Sequence, residues 1–176
     1  MSQRNLPPGP GTSQAPSRTP VVVGLLPFGG VILFVIAEIV TLAVGGGADF
    51  LRWSTMNAVL FLIGSSSLGA GIAHVFFGPV IARSIGWTPG PFQFEVGAAN
   101  LGIGISAIVM AAAFGPETWL GPIIVATVFL FLAGIGHIRE IVKKHNLSIN
   151  NAGPILFLDF LMPAVTLFLW IWLALS

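Results

Sequence analysis

The sequence predicts an all-α integral membrane bundle of about five transmembrane helices, with its N-terminus cytoplasmic and its C-terminus outside. Three observations predict it. Hydrophobic residues make up 55% of the 176 and charged residues only 7%, against roughly 25% charge in a soluble domain. With a mean hydropathy of +0.96, such a chain has too few charges to cover a water-facing surface, so its main partner is the lipid bilayer. Second, five apolar runs follow one another, each near the ~20 residues that a helix needs to cross hydrocarbon. Third, the basic residues fall almost entirely on one side of the bundle those runs define.

Taken in order, residues 1–20 form a Pro/Ser/Gly-rich tail with nothing to bury, expected to be disordered. The run from Val21 to Val44 then covers about 24 residues, well beyond the roughly 7–15 of a signal-peptide core, and reads as a retained span. Residues 21–176 are therefore expected to form one transmembrane domain with spans near 21–45, 56–82, 93–114, 119–142 and 153–175. Pro27-Phe28-Gly29-Gly30 is expected to kink or delay the first span. The separators carry turn chemistry: Gly45-Gly46-Gly47-Ala48-Asp49, Gly86-Trp87-Thr88-Pro89-Gly90-Pro91, Gly115-Pro116-Glu117 and Asn150-Asn151-Ala152-Gly153-Pro154. Helices are the predicted spanning element, because unsatisfied backbone in hydrocarbon is costly and the alternation of a barrel strand is absent.

Five spans place Arg4, Arg18, Arg83, Arg139, Lys143 and Lys144 on one side and only Arg52 on the other. This positive-inside bias sets the orientation of a multi-pass membrane protein. Trp53, Trp87 and Trp119 at span ends, and Trp170 and Trp172 in the last span, fit an aromatic belt.

Ionisable groups inside spans are costly and mark candidate sites. At a rise of ~1.5 Å per residue, His74 lies roughly 12 Å, and Asp159 roughly 9 Å, from the inner end of its span. Asn100 is about seven residues in, His137 about five, and Glu95 and Glu140 about two. Four helices thus deliver His74, Glu95, Asn100, His137, Glu140 and Asp159 to one third of the bundle. His137 and Glu140 share a helix face. Ser67, Ala70, Gly71 and Gly78 around His74, and Ala98, Gly102 and Ser106 with Gly97 and Gly104 nearby, form small-residue faces that predict close packing of the second and third spans. Glu38, in the outer part of the first span, has no obvious partner in the sequence, and His145 falls in the basic loop.

Several classes drop out. A net charge of +1 gives no basis for nucleic-acid binding, and the absence of cysteine excludes disulfides, thiolate catalysis and iron–sulfur clusters. No phosphate-binding glycine loop, His-Glu-x-x-His motif or nucleophile elbow occurs. Three readings remain. The first is an accessory or structural subunit that docks on other membrane subunits or on its own copies. The second is a haem or metal-ion protein using His74 and His137, with Glu95, Glu140 and Asp159 as further ligands. The third is movement of protons or small solutes.

Ile85-Gly86-Trp87-Thr88-Pro89-Gly90-Pro91-Phe92-Gln93-Phe94-Glu95, followed by Asn100-Leu101-Gly102-x-Gly104, resembles a family of small, functionally uncharacterised prokaryotic membrane proteins. Gly136-His137, Asn150-Asn151-Ala152-Gly153-Pro154, and Asp159 with Pro163 extend the likeness, which runs from His74 to Pro163. The resemblance implies a multi-helix membrane fold and no particular activity.

Overall fold

The computed structural model describes residues 23–45 and 47–176. The tail over residues 1–20 lies outside them. Every regular element among the described residues is helical: α1 (Phe28–Ala43), α2 (Phe50–Ile85), α3 (Phe92–Ala113), α4 (Leu120–Lys144), the short α5 (Ile149–Ala152) and α6 (Pro154–Leu175). Four stretches, Phe50–Ile85, Phe92–Ala113, Pro116–Lys144 and Ile149–Leu175, are long and apolar enough to cross a membrane, whereas α1 is shorter at 16 residues. Pro27 sits immediately before α1, in a turn whose amides bond three residues back, and α1 starts at Phe28.

α2 begins at Phe50, six residues ahead of the expected 56. Its first turns carry Ser54, Thr55 and Asn57, which lower the hydropathy but are buried and bonded. The Thr55 hydroxyl reaches the carbonyls of Leu51 (2.7 Å) and, across to α6, Leu169 (3.3 Å). Hydropathy registers polar side chains and not their partners. Between Ala58 and Ser65 the helix widens to i→i+5 winding, and Gly30 of α1 packs there against Ser66 and the Phe61 carbonyl. Lower down, Pro79 removes the amide that would bond Val75, and the helix bends at Phe77 (φ −125°, ψ 25°).

α2 and α3 pack backbone to backbone. A Cβ on Gly104 would lie 2.7 Å from the Leu68 amide nitrogen and 2.8 Å from the Gly64 carbonyl, and one on Gly97 would lie 2.9 Å from the Val75 nitrogen. The close face of α3 is therefore Gly97, Asn100, Gly104, Ala107 and Ala111. It is not the Ala98–Gly102–Ser106 stripe, where Ala98 and Gly102 are exposed. Small-residue spacing occurs on both faces, and only the partner decides which one is used.

The core is layered along the bundle. Val59, Ile63, Ile103, Ala107, Trp119 and Ile123 fill the end away from the basic cluster, Ala58, Leu62, Leu130 and Met162 the middle, and Val23, Ala73, Ile81 and Ile85 the basic end. Trp119 is 1% exposed, its indole N–H donating to the Met110 carbonyl at 3.0 Å, so it is a core residue and not part of an aromatic belt. Trp53 and Trp172 remain exposed.

Candidate functional site

The loops at the basic end are built by left-handed residues. Gly86 (φ +84°) ends α2, and the Trp87 amide turns back to the Ala82 carbonyl at 2.8 Å. A side chain on Gly86 would also meet Ser148 and the Asn146 amide group, so the two loops at this end interlock at that point. His145 (φ 53°) ends α4, and Asn146 then donates to the Ile85 carbonyl at 2.8 Å. This interlock places Trp87 on the His137 ring, with centroids 6.2 Å apart and planes 23° from parallel.

Behind Trp87 lies a pocket of about 410 Å³ between α2, α3, α4 and α6. Its walls are mostly aliphatic and aromatic, and four polar side chains enter it: His74, Asn100, His137 and Asp159. Glu95 is exposed and Glu140 pairs with Lys144 at 2.9 Å on the helix rim, so neither joins them. Among the described residues no three His, Asp or Glu side chains come close enough to share a metal ion.

The protonation pattern of His137 follows from its partner. Asn151, fully buried, donates its amide N–H groups to the carbonyls of Asn146 (2.8 Å) and His137 (3.4 Å). Its Oδ1 therefore faces His137 Nδ1 at 2.8 Å, and Nδ1 must carry the proton that is donated. In neutral imidazole this leaves Nε2 as an acceptor. Nε2 points at Asp159 Oδ2, 3.6 Å away, too far for a direct hydrogen bond. Asp159 is 5% exposed, and its Oδ2 has no hydrogen-bond partner among the described residues. With a neutral imidazole and an ionised carboxyl, two acceptors face one another across a gap that wants a donor. Pro163, one turn further along α6, lacks the amide that would bond the Asp159 carbonyl. On the opposite wall, His74 Nδ1 lies 2.6 Å from Gln93 Oε1.

Sequence reasoning missed Trp87, Gln93 and Asn151 as site residues, although all three fall within the segments that carry the family resemblance. It also left Glu38 unpartnered. In the structure Glu38 accepts from the Ser54 hydroxyl (2.7 Å) and the Asn57 amide (2.9 Å), and Asn57 reaches Thr41 (3.2 Å), which ties α1 to α2. Glu38→Leu strands both donors and is expected to cost about 1–3 kcal/mol. Thermal unfolding in detergent checks this: Glu38→Gln, which keeps one acceptor oxygen, is expected to lose less than half as much, and equal losses would show that the bonds do not matter.

The fold and site together define a class: an all-helical protein with long apolar helices and a recessed polar pair inside an apolar pocket. Within that class the chain belongs to the DUF6790 family, a family of unknown function whose profile matches residues 24–175. No curated protein and no solved structure matches it.

Proposed function

We propose that this is a multi-pass protein of the prokaryotic inner membrane, N-terminus cytoplasmic, that holds a small lipid-soluble molecule by a hydroxyl or amine donated to Asp159 and His137. The observation that carries this reading is the unpartnered Asp159 oxygen facing a bare imidazole nitrogen in an apolar pocket. Buried carboxylate oxygens are seldom left without a donor, because the loss of hydration is costly. Pockets that bind small molecules combine apolar walls with a few convergent polar groups, as this one does. The role is binding and delivery of that molecule. An accessory subunit of a larger membrane assembly would use the same pocket as the seat of its ligand.

Binding of 1-naphthol and of 1-methylnaphthalene to the purified protein in a nonionic detergent tests the reading. The two are close in shape and differ in the donor. A hydrogen bond to a charged acceptor contributes about 1.5–3 kcal/mol, so 1-naphthol is expected to bind roughly 10- to 100-fold more tightly. Asp159→Leu is expected to erase that preference. Equal binding of the two compounds by the wild type, or a preference that survives Asp159→Leu, overturns the proposal.

A further inference from the structure

Three cavities meet at Trp87. One is the apolar pocket. The second is a vestibule of about 600 Å³ walled by the two interlocked loops. The third, about 290 Å³, is a groove walled by Trp87, Gly136, Arg139, Glu140, Lys143 and Lys144. The groove and the apolar pocket share Trp87 and Gly136. At Gly136 an added Cβ would meet nothing within 4 Å, so the wall between the two cavities lacks a side chain there. Charge in the groove is one-sided. Glu140 is neutralised by Lys144, and neither Arg139 nor Lys143 has a carboxylate partner among the described residues.

We infer that the ligand of the pocket is an anionic amphiphile: a single apolar chain in the pocket, a hydroxyl on Asp159 and His137, and a carboxylate or phosphate in the groove on Arg139 and Lys143. This rests on the pocket reading above and adds the charge and the geometry. His137 and Lys143 are six residues apart on α4, so hydroxyl and anion are separated by about 9 Å along the helix. Such a molecule passes the wall at Gly136, beneath the Trp87 ring. It reaches the site from the basic end, where the groove opens.

The test uses the full-length protein in nonionic detergent with three probes: 10-hydroxyoctadecanoate, its methyl ester, which lacks the charge, and octadecanoate, which lacks the hydroxyl. Two exposed cations are each a modest, salt-screened contribution, so the acid is expected to bind about five- to tenfold more tightly than the ester at low salt, and less so in 0.5 M salt. The Arg139→Ala/Lys143→Ala variant is expected to lose that advantage and to bind the ester as the wild type does. Gly136→Leu, whose side chain enters open space and leaves the helix intact, is expected to weaken acid and ester together. Equal affinity of acid and ester in the wild type overturns this inference alone, and so does an acid preference that survives removal of both cations. Acid binding unchanged by Gly136→Leu marks adsorption outside the wall and also overturns it. If the hydroxylated ester binds the wild type no better than octadecanoate binds the Arg139→Ala/Lys143→Ala variant, and Asp159→Leu changes neither, the failure belongs to the pocket reading instead. A phosphate monoester of the same chain, run beside the carboxylate, distinguishes a lipid phosphate from a free fatty acid as the source of the anion.

Discussion

Gly104→Val is expected to yield no monodisperse protein. The atoms that a Cβ would meet are backbone atoms of α2, the Leu68 nitrogen at 2.7 Å and the Gly64 oxygen at 2.8 Å, and neither can swing aside as a side chain does. Overpacking in a core costs about 1–3 kcal/mol, occasionally more. Here relief requires α2 and α3 to part along a shared length that also holds Gly97 against Val75, so a cost at or above the upper end, about 3 kcal/mol, is expected. Gly102, two residues away, has nothing within 4 Å of an added Cβ. Gly102→Val is therefore expected to change stability by no more than about 0.5 kcal/mol. Size-exclusion profiles and thermal midpoints of the two variants decide the matter. A Gly104→Val protein as stable as Gly102→Val would mean that the two backbones do not approach as described.

Asn151→Leu is the second large effect, and it reaches the site as well as the fold. The residue is fully buried and serves three groups: His137 Nδ1 and the carbonyls of His137 and Asn146. Leaving buried polar groups without partners costs about 1–3 kcal/mol each, so a total loss of roughly 3 kcal/mol or more is expected. The imidazole would also lose the acceptor that fixes its proton on Nδ1. Nitrogen chemical shifts of His137 are expected to report one tautomer in the wild type and a mixture in Asn151→Leu. Asn151→Asp keeps the acceptor and removes both carbonyl donors, so it is expected to lose stability while retaining the Nδ1 tautomer. A variant with unchanged shifts and unchanged stability would remove Asn151 from the account of the site.

The helical class is legible in the sequence because it depends on quantities that add along the chain: apolar content, run length and the sparsity of charge. The interruption at Pro27 is legible too, since proline acts locally. The start of α2 is not, because Ser54, Thr55 and Asn57 look solvent-seeking until their partners on α1 and α6 are known. The same holds for Glu38, whose partners Ser54 and Asn57 are 16 and 19 residues distant in sequence and adjacent only after α1 folds back on α2. His74, Asn100, His137 and Asp159 could be placed at one depth by counting residues, since helical rise is constant. Counting gives height but not azimuth, and azimuth is what sends Glu95 to the surface while Gln93, two residues earlier, turns inward to His74. The small-residue stripes of α3 show the same ambiguity: glycine spacing appears on two faces, and the partner helix selects one. Trp87 and Asn151 carry no chemical signal of their own, and their roles emerge only when the two loops interlock.

The widened winding of Ala58–Ser65 has a consequence for how the gene can change length. In an ordinary helix, loss of one codon turns everything downstream by about 100° relative to everything upstream. Applied to the lower half of α2, that rotation would swing His74 out of register with α3. An i→i+5 stretch holds surplus residues, so a single deletion between Ala58 and Ser65 can be absorbed by tightening to ordinary winding, with the helix above and below keeping its phase. This stretch is a slack segment between two rigid registers, one set by Glu38 with Ser54 and Asn57, the other by His74 with Gln93. A one-residue deletion is tolerable there and ruinous a few turns further along.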